Sequence, residues 1–372
     1  MNSLVWTSAL ALGVIWVGYP VAVAALAALR RPGRPAAGAR PAVTVVIATR
    51  DDAATIRRRV ANALASEYDP ALLDVVVALD AAGSAATPAD LAELGARVTV
   101  VGGDAPGGKA AALNAGVRAA RGSVLVFGDA HQAFHPDAVA RLVDALLADP
   151  RLGATSGALD VAAHGGPPTL ADRYWRYERW LRENEARVHS TVGVTGAIYA
   201  MRASLWEPLP AGLILDDVYA PMRLVLRGWR VGFVRDARAA DGRRFEAAQE
   251  YRRKARTLTG NLQLCAWLPG VLVPLRNPIW LQFVLHKLAR LVTPYLALAL
   301  TLGLAVMGAR ALGDALPAAL AGTALAVALL LAAQPALRRR ARHLITWGVA
   351  LQAAVVVATF NGLRGRWDVW QR

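Results

Sequence analysis

The sequence predicts an α/β domain with a Rossmann-like, mostly parallel sheet, attached to transmembrane α-helices. Two observations carry that expectation. Short β-branched runs, VTVVIA (43–48), LDVVVALD (73–80), ARVTVVG (96–102) and SVLVFGD (123–129), alternate with stretches of helical composition such as TIRRRVANALAS and AALNAGVRAARG. Alternation of this kind implies parallel strands with helices on both faces of the sheet. The second observation is that long apolar stretches lie on both sides of this middle region.

Residues 4–29 carry no charge, a stretch longer than the roughly 20 residues a helix needs to cross hydrocarbon. Nothing basic precedes it, and Arg30, Arg31, Arg34 and Arg40 follow, so the segment reads as an uncleaved anchor over residues 1–30 and not as a signal peptide. The positive-inside rule then puts the middle of the chain in the cytoplasm. Residues 31–42, RPGRPAAGARPA, read as a linker, and residues 43–276 as the soluble domain. An amphipathic stretch over 277–290 is expected to lie in the membrane interface, and its periodicity equally suits the start of the next spanning helix. Three spanning helices are expected within 291–362, at about 291–309, 315–334 and 344–361. In that topology Arg338, Arg339, Arg340 and Arg342 are cytoplasmic, while the tail 363–372, with Arg364, Arg366 and Arg372, falls outside, against the rule.

The chain has 372 residues, 55% hydrophobic, and a net charge of +15. That balance is too apolar for one soluble domain and too charged in the middle for a simple channel. Anionic lipid headgroups and a phosphorylated substrate account for the excess positive charge. No zinc spacing, RNA-binding aromatic motif or base-reading basic helix points to nucleic acid. The single cysteine, Cys265, excludes an intrachain disulfide and a multi-cysteine metal site, and reads as a small buried apolar residue.

Chemistry concentrates at a few strand ends. Gly107 and Gly108 let the backbone approach an anion closely, Lys109 supplies a point charge, and the run ending at Asp129 delivers a carboxylate to the edge where ligands bind in open α/β sheets. Asp80 ends another strand and can accept from a base N–H or a ribose hydroxyl, though Asp is also an ordinary turn residue. Asp216 and Asp217 precede a helix-like stretch closing at Gly228, which is also the pattern of an N-terminal cap complementing the helix dipole. Tyr174, Trp175, Tyr177 and Trp180 read as sugar-stacking, interfacial or packing aromatics.

Seven segments, VVIATRDDAATI, VVVALDAAGSAAT, GGKAAALNAG, VLVFGDAHQAF, GVTGAIYAMR, LILDDVYAPMRLVLRGWRV and EYRRKARTLTGN, occur in the order and rough spacing of processive-type membrane glycosyltransferases of family 2. Over about residues 43–290 the chain resembles that group, which includes cellulose and hyaluronan synthase-like enzymes. The resemblance implies a cytoplasmic GT-A fold domain that takes a nucleotide sugar, usually a UDP-sugar, and transfers the sugar with inversion to an acceptor hydroxyl.

The same resemblance implies roles. Asp80 contacts base and ribose, Asp52 is the acidic residue closing the first strand's motif, and Lys109 pairs with phosphate. Asp129 and His131 stand at the DxD position, written here as DAH, and would hold Mg²⁺ or Mn²⁺. Imidazole suits Mn²⁺ better than Mg²⁺, and His131 binds the metal, orients a metal-bound water or caps the next helix. Asp217 aligns with the catalytic base. Gln249, Arg252 and Arg253 lie where polymer synthases carry QxxRW, but here read QEYRR, with arginine in place of the tryptophan. The arginines can grip a diphosphate bidentately or form a basic face near headgroups. The expected protein is a multi-pass enzyme of a bacterial inner membrane whose partners are a nucleotide sugar, a glycan or lipid-linked acceptor and the bilayer, with no nucleic acid. Polysaccharide synthesis, single-sugar transfer to a lipid carrier and a non-catalytic nucleotide-sugar-binding scaffold are the readings left open by the altered motifs.

Overall fold

The computed structural model describes residues 2–30, 39–161, 170–243 and 247–368. Most of the expected linker, residues 31–38, lies outside the described residues. The chain divides into two compact units. The sheet unit comprises Ala22–Arg244, Gln263–Phe283 and Trp367–Arg372, and the helical unit comprises Met1–Val21, Phe245–Leu262 and Val284–Arg366.

Eight strands form one sheet: β1 (Val43–Thr49), β2 (Leu73–Leu79), β3 (Val98–Gly102), β4 (Val124–Phe127), β5 (Gln132–Phe134), β6 (Leu152–Val161), β7 (Tyr199–Arg202) and β8 (Arg230–Asp241). Their order is β3-β2-β1-β4-β7-β6-β8-β5. The half built from β3, β2, β1 and β4 is parallel, as the βαβ alternation predicts. Beyond β4 the sheet is mixed: β7 runs antiparallel to both β4 and β6, β8 is parallel to β6, and β5 is antiparallel to β8. The expectation of a mostly parallel sheet is therefore corrected. The runs that predicted it cover only the first half, and β5 and β7 are too short to carry a periodicity of their own.

The helices in chain order are α1 (Asn2–Gly13), joined through a π-helical turn at Val14–Gly18 to α2 (Tyr19–Ala28), α3 (Ala53–Leu64), α4 (Lys109–Ala119), α5 (Ala138–Ala148), α6 (Leu170–Val188), α7 (Asp216–Leu226), α8 (Ala247–Trp267), α9 (Trp280–Phe283), α10 (Ala289–Leu312), α11 (Leu316–Ala333) and α12 (Pro335–Leu363). In β1 the alternation of side chains puts Val43, Val45 and Ile47 in one core with Ile56, Val60 and Ala63 of α3 and with Leu142 and Leu146 of α5. The opposite face of β1 meets α4. A methyl on Gly116 would sit 2.8 Å from Val46 Cγ1 and 3.3 Å from Ala78 Cβ, so α4 packs against the sheet at a distance only glycine allows. Both faces of the strand are covered, which is why it reads as an unbroken apolar run.

In the helical unit, Trp16 Nε1 donates to Thr293 Oγ1 at 3.1 Å, and Gly303 makes room for Val5, whose Cγ2 would lie 2.4 Å from an added methyl. Asn361 Nδ2 donates to Thr259 Oγ1 at 3.3 Å. The helical stretches Asn2–Ala28 and Trp280–Ala333 are long and apolar enough to cross a bilayer, and Gly348–Leu363 is apolar but shorter. Within residues 277–290, helical backbone begins at Trp280 and runs through a π-helical stretch at Val284–Leu288 into α10. Its apolar positions continue those of the following helix, and periodicity alone does not mark a break there.

Candidate active site

The carboxyl ends of β1, β2 and β4 lie side by side, and the chain places an aspartate at or just beyond each. Beyond β2, Asp80 Oδ1 accepts from the backbone N–H of Gly108 at 2.6 Å and of Ala82 at 2.9 Å. This ties the β2 turn to the glycine pair. Gly107 has φ +94° and Gly108 φ +92°, and a methyl on Gly107 would lie 2.4 Å from Ala82 N. Conformation and space both demand glycine at Gly107.

Lys109 opens α4, and its Nζ lies 2.8 Å from Asp129 Oδ1 and 3.3 Å from Asp216 Oδ2. Burial alone would lower the Lys109 pKa, but Asp129, Asp216 and Asp217 together outweigh it and hold the ammonium well above its ordinary value. The expected phosphate-binding lysine is thus engaged by two carboxylates from different parts of the chain.

Asp52 and Asp51 divide their work. Asp52 is the N-cap of α3: its Oδ1 accepts from Thr55 N at 2.8 Å. Its neighbour Asp51 is the one that meets His131, with Nε2 and Oδ1 3.0 Å apart, while Asp51 Oδ2 accepts from Thr49 Oγ1 at 2.7 Å. The Asp-x-x-Thr spacing at 52–55 is the signal that could have identified the cap.

Beneath Asp129 lies Arg59, 2% exposed. It sits on the apolar stripe of α3 with Ile56, Val60 and Ala63, a periodicity legible in the sequence. Burial pushes its pKa down to about 10, against the opposing pull of Asp129. Asp216 and Asp217 form the first turn of α7, and Val194 N donates to the Asp217 carbonyl at 2.7 Å. A methyl on Gly196 would lie 3.2 Å from Asp217 Oδ2, so the carboxylate rests over a glycine. Tyr199, stacked on Phe127 with ring centroids 4.6 Å apart, is fully buried. Burial, then the negative charges of Asp216, Asp217 and Asp129, raise its pKa well above the ordinary value, so it remains a neutral phenol.

Gln249, Arg252 and Arg253 stand on the first turns of α8, in the helical unit. Tyr177 and Trp180 of the aromatic group pack 6.1 Å apart on α6. Burial raises the Cys265 thiol to about 11, as suits an inert packing residue.

Among the described residues no three His, Cys, Asp or Glu side chains converge into a cage. The Asp129 carboxylate meets Lys109 through Oδ1 alone, and the side chains of Asp129 and His131 are 37% and 30% exposed. One carboxylate and one imidazole at an open edge fit a cation that completes its shell with substrate oxygens and water.

A half-parallel, half-mixed sheet with carboxylates at its strand ends and a lysine at the start of the following helix makes a GT-A-like fold. The family described as "Glycosyltransferase like family 2" matches residues 41–260. The chain belongs to that family and is a glycosyltransferase. Among solved structures it is similar to the mannosyltransferase PcManGT from Pyrobaculum calidifontis, in complex with GDP-Man and Mn²⁺, with a TM-score of 0.72 and 23% identity over 98% of this chain and 99% of that one. Looser likenesses are to GalNAc-T7 with UDP, GalNAc and Mn²⁺ (TM-score 0.43, 19% identity, 56% of this chain and 44% of that one) and to S. aureus TarS 1-349 (TM-score 0.42, 14% identity, 60% and 64%). No curated protein matches the chain significantly.

Proposed function

We propose that the protein transfers a sugar, with inversion, from a nucleoside-diphosphate donor to an acceptor hydroxyl at the surface of a bacterial inner membrane, its sheet unit on the cytoplasmic side. The observation that carries this reading is Lys109 bridging Asp129 and Asp216, one residue from Asp217, at the carboxyl end of β4. It sets a cation and a candidate general base around one open strand edge.

In this reading Asp80 and the Gly107–Gly108 turn receive the nucleoside, and Lys109 meets the diphosphate. Asp129 and His131 hold Mn²⁺ or Mg²⁺, which supplies charge neutralisation for the departing diphosphate. Asp217 accepts the proton of the acceptor hydroxyl as its oxygen bonds to the anomeric carbon and the bond from that carbon to the diphosphate oxygen breaks. A UDP-sugar is the first donor to test. GDP-mannose is the second, because the whole-length structural likeness is to an enzyme holding that donor. Arg253 in place of the synthase tryptophan favours a single transfer to a lipid-linked acceptor over a long polymer.

The test is release of nucleoside diphosphate by the full chain in lipid, with a panel of nucleotide sugars, for wild type, Asp129→Ala and Asp217→Asn. One donor turned over by wild type and by neither variant supports the reading. Equal turnover by Asp217→Asn rejects Asp217 as the base.

A further inference from the structure

Arg59 is a cation sealed inside the sheet unit directly under the segment that carries Asp129 and His131. Among the described residues no carboxylate lies within ion-pair distance of it, and its Nη2 has no hydrogen-bond partner. Nε donates to the Asp129 carbonyl at 3.2 Å and Nη1 to Asn62 Oδ1 at 3.0 Å. Asn62 in turn holds the far end of the same segment: its Oδ1 accepts from Phe134 N at 2.8 Å, and its Nδ2 donates to the Phe134 carbonyl at 3.0 Å. The guanidinium lies 3.9 Å from the Phe134 ring centroid. A methyl on Gly128 would lie 2.9 Å from Nη2, so glycine just before Asp129 leaves room for the fork.

A buried, unpaired charge is costly, and an apolar side chain of similar length would pack this space at lower cost. Arg59 reaches the segment 129–134 directly at the Asp129 carbonyl and the Phe134 ring, and indirectly through Asn62.

We infer that Arg59 is a positioning residue: through Asn62 and the Asp129 carbonyl it clamps residues 129–134 at both ends, setting the carboxylate of Asp129 and the imidazole of His131 for a divalent cation and the donor diphosphate. This rests on the metal reading proposed above. Groups that orient metal ligands from behind typically change metal affinity or activity about 10–100-fold when replaced.

The experiment measures binding of UDP and GDP to the full chain in lipid by calorimetry, with and without Mn²⁺, for wild type, Arg59→Met and Arg59→Lys, alongside thermal midpoints. Arg59→Met is expected to melt at or above the wild-type temperature, to bind nucleotide as wild type without metal, and to lose at least about tenfold of the Mn²⁺-dependent affinity. Arg59→Lys, which keeps the charge without the fork, is expected to fall between them. Wild-type Mn²⁺-dependent binding in a folded Arg59→Met overturns the inference. If Arg59→Met does not fold, Arg59→Lys decides: an intermediate loss confined to the Mn²⁺-dependent term upholds the clamp, and wild-type binding overturns it. Wild type that binds neither nucleotide more tightly with Mn²⁺ sinks the metal reading itself and the inference with it.

Discussion

Lys109 Nζ lies 2.8 Å from Asp129 Oδ1, a contact that joins the first residue of α4 to the carboxylate just beyond β4. The two residues are 20 positions apart in the chain and meet because the crossover from β3 through α4 brings β4 into the same parallel half-sheet, with the strand ends on one edge. Replacing Lys109 by Met leaves Asp129 and Asp216 without their shared cation. Nucleoside diphosphate binding is expected to weaken about tenfold, the scale of one hydrogen bond to a charged group. Calorimetry checks it, and unchanged affinity assigns the lysine to holding the carboxylates alone.

Asp217→Asn keeps the size and the first-turn position on α7 but accepts no proton. Turnover is expected to fall about 10²–10⁴-fold, with donor affinity close to wild type. Steady-state kinetics that show a loss in KM with kcat preserved would contradict base catalysis.

Gly107→Ala forces a side chain into φ +94° and against Ala82. The expected cost is more than about 1 kcal/mol of stability. Because Gly108 N holds Asp80, donor binding should weaken in the same variant. Thermal melts and nucleotide titration read both effects, and a full-affinity Gly107→Ala would detach this turn from the site.

Asp52→Ala removes the α3 cap, whereas Asp52→Asn retains an acceptor. The bond from Thr55 N holds the Asp52 pKa below its ordinary value, with burial opposing. A carboxylate depressed on folding stabilises above its unfolded pKa, and that contribution fades as pH falls through the lower folded value. The melting difference between wild type and Asp52→Ala should therefore be full at neutral pH and shrink in acid. If Asp52→Asn melts like wild type yet loses nucleotide binding, Asp52 contacts the donor as well as capping the helix.

Much of the architecture was legible because its signals are local. The runs at β1, β2 and β4 are buried on both faces, and a strand covered on both sides must be continuously apolar. Gly107 and Gly108 announced an unusual backbone because only glycine adopts positive φ freely. The uncharged stretch at residues 4–29 announced a helix of spanning length for the same kind of reason. Two strands of the mixed half were too short to be legible: β7 has four residues and β5 three, below the length at which periodicity distinguishes a strand.

The sequence by itself determined the class of protein, a family 2 glycosyltransferase with apolar helices, and the residue types its chemistry uses, because strand ends and glycine turns are written in neighbouring residues. Only the tertiary structure decided that Asp51 is the aspartate that meets His131, that Lys109 is held between Asp129 and Asp216, and that Arg59 donates to the Asp129 carbonyl from beneath the segment 129–134. Those assignments depend on side-chain direction and on contacts between residues 20 to about 110 positions apart, and such distances are set by how the sheet closes its layers and not by any local pattern.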